Sequence, residues 1–371
     1  MIVPFIEQHA ITVITILLLV FAGLFLLLFL YTTINRYVYS LQIEKEKQTE
    51  EWLEPLLFLY LDGQVSFKEF STRLHSYHEL TVAYRIINIM IDNISGPESE
   101  KLQKLLELNK FKTYFYKKLR SHKPMKMAQA CMYFSQKSRI DPKSIKRLTA
   151  LQSHSYNVIA YASTLALINS NNHHTRDEAL QRYLHRSHNA SMAVNDIIFK
   201  YYSKYSDKFE ASEKLMFYIM DSKIPEKTNA AVIAMFPGFG FYQYTDDLSA
   251  LLQRVIPADQ TGILTSTLLK VLFELSHEHI ILGIESFTLW RSPFTSVRLQ
   301  VAQILSEEKN PRFKDILLRL GHDPDLEVRI VSQQALLNME QINLDDLQFT
   351  HEVRGEWEEM KRSRGEYVYS F

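Results

Sequence analysis

The chain has 371 residues, room for two or three ordinary domains or for one elongated array. Its ten glycines and eleven prolines supply little of the turn chemistry that an all-β or doubly wound fold needs, so helices with short connections are expected. Lys plus Arg and Asp plus Glu both number 42, a balance without the basic footprint of phosphate neutralisation, so no nucleic acid is expected as a partner.

From Ala10 to Asn35 no side chain is charged, and Ile11 to Tyr31 is almost wholly apolar. About 20 helical residues cross a hydrocarbon core of ~30 Å, so residues 10–35 predict a transmembrane anchor in contact with the lipid bilayer. The short stretch 1–9 carries Glu7 and no Lys or Arg, and the apolar run is longer than that of a cleaved signal, which makes the anchor an uncleaved one. Arg36, Lys45 and Lys47 follow the span and no basic residue precedes it. The expectation is a single-pass inner (cytoplasmic) membrane protein with 1–9 extracytoplasmic and the soluble body cytoplasmic. Gly23 has no small partner four residues away, so the span lacks a small-residue dimerising pattern.

Ile34, Val38 and Leu41 keep a helical spacing, and Glu44 to Trp52 is strongly charged, which predicts a helical stalk over 36–54. A body over 55–347 follows. In it apolar residues recur at helical spacing between short breaks such as Asp62-Gly63, Ser95-Gly96-Pro97, Asp141-Pro142, Ser292-Pro293 and Asp323-Pro324. No stretch alternates long enough to require a strand, and no linker divides the body. The fold class is all-α.

Repetition favours an array over a bundle. Pro293 to Leu305 and Pro324 to Leu336 align with Pro293/Pro324, Val297/Val328, Arg298/Arg329, Gln303/Gln334 and Leu305/Leu336 identical. Phe67 to Ile91 lies without gaps over Phe313 to Leu337, matching Arg73/Arg319, Leu74/Leu320 and Val82/Val328 among others, and Asp141 to Ile168 is a weaker echo. A proline at the start of the second helix fixes φ and needs no amide donor, with Ser292 or Asp323 before it as N-cap. Val297 and Val328 open a buried stripe, and Arg298 and Arg329 are suited to bonding the carboxylate or loop carbonyls of a neighbouring repeat.

Leu317 to Leu337, with Asp323-Pro324, Val328-Arg329 and Ala335-Leu336, resembles the HEAT repeat in its short bacterial, bilin-lyase type. Ser292 to Leu305 is similar, with Ser292 in place of the usual Asp and Ile304 in place of Ala. The resemblance implies a right-handed α-solenoid of HEAT-like helical hairpins over 55–347, best preserved over 292–339 and preceded by one transmembrane helix. Residues 348–371 leave the pattern and are expected to form a C-terminal cap and tail. Proteins of this kind mostly bind other proteins, and a few relatives attach bilins or repair DNA bases.

Chemistry is sparse. His277-Glu278 would need His at 281 for a zinc-protease helix, where Ile281 stands. His173, His174, His185 and His188 form the one His-rich neighbourhood, without cysteine. Cys131 is the sole cysteine, so no intrachain disulfide can form, and its apolar surroundings place it in the core. No catalytic, cofactor-binding or metal residues are assigned. Tyr201, Tyr202 and Tyr205, interleaved with Lys200, Lys204 and Lys208, are the candidate partner surface, against the alternative of a packed helix edge. The expected function is a non-catalytic, membrane-anchored scaffold or accessory subunit for another membrane-associated protein, for example a polysaccharide glycosyltransferase. The alternatives are a HEAT-like enzyme of lyase or repair type and a metal-responsive sensor.

Overall fold

The structure, a computed structural model, describes residues 3–137, 139–276 and 288–339, with side chains from residue 18 onward except 337. Helices account for all the regular structure of the described residues. The chain divides into two compact units, Met1–Arg120 and Ser121–Phe371, a division that the sequence reading of one uninterrupted body does not contain. The cut falls just before the short break that ends at Pro124.

In the first unit α1 runs unbroken over Val3–Leu61. Its Leu18–Leu61 portion is long and apolar enough to cross a membrane, and its apolar window is fully exposed. Residues 10–35 and 36–54 are therefore parts of one helix, and its buried positions begin at Thr49. Pro55 lies inside the helix on its water-facing side, where the carbonyl that loses its hydrogen bond is open to solvent. Thr49, Leu53, Leu56, Leu57 and Leu61 already belong to the core.

The hairpin of α2 (Phe67–Arg73) and α3 (Tyr77–Asn93) follows, then α4 (Pro97–Leu106) and α5 (Asn109–Leu119). Ser66 caps α2, and Ser76 with Glu79 forms a capping box on α3. Arg85 of α3 ties the stalk to the unit by donating to Glu46 at 3.1 Å and to Glu50. The alignment of Phe67 to Ile91 with the C-terminal repeat corresponds to the same short-helix, turn, longer-helix unit in both places. Leu74 and Leu320 are buried in them, as are Val82 and Val328.

The second unit contains α6 (Pro124–Ser135), α7 (Pro142–Leu151), α8 (Asn157–Ile168), α9 (His173–Leu184), α10 (Ser191–Ser203), α11 (Lys208–Ile219) and α12 (Glu226–Ile233). It continues with α13 (Phe236–Phe239), α14 (Thr245–Val255), α15 (Ile263–Leu275), α16 (Thr295–Glu308), α17 (Lys314–Leu320) and α18 (Leu326–Asn338). Helices α6, α8, α10, α12, α15, α16 and α18 pack each on the next, and α7, α9, α11, α14 and α17 pack against that row as the second members of hairpins. A stack in which each hairpin is covered by its neighbours is a helical-repeat solenoid. One core cluster runs along it from Ile168 to Leu336.

Second-layer helices α7, α9 and α11 start on Asp141, Asn172 and Asp207, whose side chains accept the first amides. Ladder helices α6, α8, α10 and α12 start without side-chain caps. Between α15 and α16 the approach is close: a Cβ on Gly262, which has φ of +74°, would lie 2.4 Å from Phe294 Cβ. Only glycine satisfies both the left-handed backbone and that gap.

Candidate interaction surface

The repeat residues picked out by sequence come together between α16 and α18. Val297 and Val328 are fully buried. Arg298 donates through Nε and Nη2 to both oxygens of Asp323, at 2.6 and 2.9 Å, and through Nη1 to the Ser292 carbonyl at 2.8 Å. Arg329 donates to the carbonyls of Asp323 and Pro324 at 2.8 and 3.1 Å. Burial works against the Asp323 carboxylate, but the Arg298 fork and the Asp325 amide outweigh it and hold the group below its ordinary range.

The capping expectation needs correction. Pro293 and Pro324 precede their helices by two residues, at Thr295 and Leu326. Asp325, not Asp323, accepts the amides of Glu327 and Val328, because the Asp323 carboxylate is already occupied by Arg298 and the Asp325 amide. Ser292 accepts only from the Phe294 amide, in a local turn.

The tyrosine surface is also corrected. Tyr201 and Tyr205 are 0% and 2% exposed, and both donate to Asp177 Oδ1, Tyr201 at 2.8 Å. Lys214 closes the cluster by donating to Asp177 Oδ2 at 2.8 Å and to Tyr205 Oη at 3.1 Å, with Glu210 also 2.8 Å away. Burial raises the Asp177 carboxyl, yet the hydrogen bonds from Lys214, Tyr205 and Tyr201 leave it below its ordinary range. Burial together with the bonds to Tyr205 and Asp177 pushes Tyr201 far up. Each hydroxyl is satisfied by a charge that needs donors, so the group is a polar clamp between α9, α10 and α11. Tyr202 is half-buried, stacked on Phe239 with centroids 4.3 Å apart and with the Lys208 amine 4.8 Å above its ring. The packed helix edge prevails because Asp177, distant in sequence, supplies the acceptor.

The other candidate groups stay apart. His185 contacts Asp221 at 3.0 Å, His174 contacts Glu178 at 3.3 Å, and His173 meets Arg176 at 2.7 Å. Among the described residues no group of three or more His, Cys, Asp or Glu is placed to hold a metal ion. His277, Glu278 and Ile281 lie outside the described residues, as does 348–371. Burial pushes the Cys131 thiol up to about 12, which leaves it protonated and unreactive at neutral pH. A groove of about 430 Å³ is lined by Gln181, Glu210, Glu213, Lys214, Phe217 and Tyr218.

Two features escaped the sequence reading. Helix α5 and its end carry Lys110, Lys112, Lys117, Lys118 and Arg120 with no acid. Some of this charge is structural: Lys110 donates to the Ser71 and Leu74 carbonyls, and Lys118 lies 4.5 Å from the Tyr114 ring centre. The second feature is an apolar rim on the ladder. Met125, Val158 and Met192 are the second residues of α6, α8 and α10, and they are 72%, 67% and 86% exposed. Met132 and Phe199 lie two turns further along α6 and α10, also exposed. The signal was present in the sequence, one apolar residue just inside α6, α8 and α10, but it becomes a surface only when alternate helices are known to be neighbours.

No family model matches the chain, and no curated protein matches it. Among solved structures it is similar to a designed armadillo repeat protein, YIII(Dq)4CqI, at 14% identity and a TM-score of 0.27, over 61% of this chain and 98% of that one.

Proposed function

We propose that the protein is a membrane-anchored, non-catalytic scaffold or accessory subunit whose second unit holds another membrane-associated protein through its ladder helices. The observation that carries this reading is the recurrence of exposed Met125, Val158 and Met192 at one rim of α6, α8 and α10, with Met132 and Phe199 beside them. Flexible thioether side chains flanking an aromatic suit a surface that accepts a helix or loop from a partner. The repeats are of the HEAT type in this reading, on the strength of Asp323-Pro324, Val328-Arg329 and Ala335-Leu336. Helix α1 spans the inner membrane with its N-terminus outside, a reading supported by Arg36, Lys45 and Lys47 beyond the apolar run. Tethering then raises the local concentration of the rim beside a membrane-bound client, for instance a polysaccharide-synthesising enzyme.

The test is affinity purification from detergent-solubilised membranes with the wild type and with Met132→Glu/Phe199→Glu. The expected result is a client recovered with the wild type, absent with the double variant, and retained by a variant with an exposed charge changed on a second-layer helix, such as Lys146→Glu on α7. Equal recovery with all three rules out the rim as the docking surface.

A further inference from the structure

The apolar rim of α6, α8 and α10 is also a positively charged one. Residues 121–176 hold eight Lys or Arg against a single acid, Asp141. Its carboxylate is spent on the Ser144 amide and hydroxyl at the start of α7, the end of that helix away from the rim. Lys123 and Lys126 flank Met125, and both are exposed. Arg186, in the loop before α10, donates to the carbonyls of Gln152 and His154 and to Asn157 Oδ1, the last two at 3.1 Å. It thereby pins the loop before α8 to the loop before α10. All three acceptors are neutral, so they hold the guanidinium in place without cancelling its charge. None of α6, α8 and α10 has an acid in its first turn, and the loops 121–123, 152–156 and 185–190 contain none. The acid-free stretch stops at the next step of the ladder, where Asp221 holds His185 and Glu226 opens α12.

We infer that this rim receives an amphipathic helix of a partner protein whose apolar stripe is bordered by Asp and Glu; the inference rests on the reading of the rim as the docking surface. Ladder helices packed at interaxial steps of about 8–10 Å set Met125, Val158 and Met192 along a row of about 16–20 Å. On a helix, residues seven apart lie on one face about 10.5 Å from each other, so an apolar residue at every seventh position matches the step of the ladder. An extended strand does not match it: about three residues cover the same distance, and the third turns its side chain to the other face. Acids beside the stripe meet Lys123 and Lys126 at the α6 end and Arg186 between α8 and α10. A basic stripe meets like charge along the same row and is rejected.

The test measures binding to the full chain in detergent. The probe is a labelled helical peptide of about 18 residues with leucine at every seventh position and glutamate on both sides of that stripe, compared with its glutamine and lysine counterparts. The glutamate peptide is expected to bind at least about tenfold more tightly than either and to weaken as salt rises. Lys123→Glu/Lys126→Glu should weaken the glutamate peptide at least about tenfold and strengthen the lysine one, with an unchanged circular dichroism spectrum because both positions are exposed. Equal affinity for the three peptides, absence of binding included, or a preference that the lysine variant does not shift, overturns the acidic helix. In affinity purification from membranes, a client lost with Met132→Glu/Phe199→Glu but kept in full with Lys123→Glu/Lys126→Glu also overturns it, and leaves the docking surface standing. A client lost with neither overturns the surface itself. A dye on Val158→Cys that shifts to the blue in anionic nanodiscs and not in zwitterionic ones, with no peptide present, assigns the rim to lipid and overturns the protein partner. Cys131 is fully buried and does not compete for the dye.

Discussion

Arg298 and Asp323 bring a charged pair into a mostly desolvated turn, with side chains 12% and 5% exposed. Removing one member leaves the other charged and buried, so Asp323→Ala is expected to cost about 3–5 kcal/mol, measurable by denaturant unfolding. Arg298→Lys loses the two-pronged geometry and should fall between that and the wild type. Asp323, Asp177 and Asp259 are all held below their ordinary carboxyl value of 3.8. A depressed carboxyl contributes stability above its unfolded value and loses it as pH falls through the folded one. Unfolding free energy should therefore drop below about pH 4, and Asp323→Asn should flatten part of that drop. Cys131, fully buried and with its thiol raised, should react with a thiol reagent only as fast as the protein unfolds. Labelling of the native protein within the mixing time would contradict that placement.

At the level of elements, α1 changes what a truncation means. Deleting residues 1–40 removes the apolar run and leaves the segment from Thr49 to Leu61 that belongs to the core. Such a protein is expected to stay helical and to lose membrane association. Deleting 1–61 also removes Leu53, Leu56, Leu57 and Leu61, each of which is buried, and should unfold the first unit, seen as lost amide protection in α2 and α3. Gly262→Ala should destabilise by about 1–3 kcal/mol, since the added carbon meets both a left-handed backbone and Phe294. Part of this was legible in advance. The Val-Arg steps, the Asp-Pro turns and the helix breaks are local chemistry, and the chain obeys them. The capping residues were misplaced by two positions, because which carboxylate is free to cap depends on whether an arginine from another repeat already holds it. Tyr201 of α10 and Tyr205 just beyond it were misjudged for the same reason: Asp177 and Lys214 lie on other helices, and only their convergence makes both tyrosines interior.

For the whole molecule the membrane comes first. The full chain is expected to stay with the membrane in alkaline carbonate and to leave it in detergent; extraction by high salt alone would contradict the anchor. Length, the scarcity of glycine and proline, the uncharged run from Ala10 to Asn35 and the helical spacing that follows were enough to determine an all-helical repeat protein with one helix able to cross a membrane. Those properties depend on residues near one another in sequence: hydrophobic periodicity, turn chemistry and apolar length. Tertiary structure alone decided the rest. The division near Arg120, the close passage at Gly262 and the clamp around Asp177 depend on residues far apart in sequence, and the apolar rim from Met125 to Met192 on helices that alternate in sequence but adjoin in space. Which faces are covered, and so which are left for a partner, is a property of packing that no single helix carries in its own sequence.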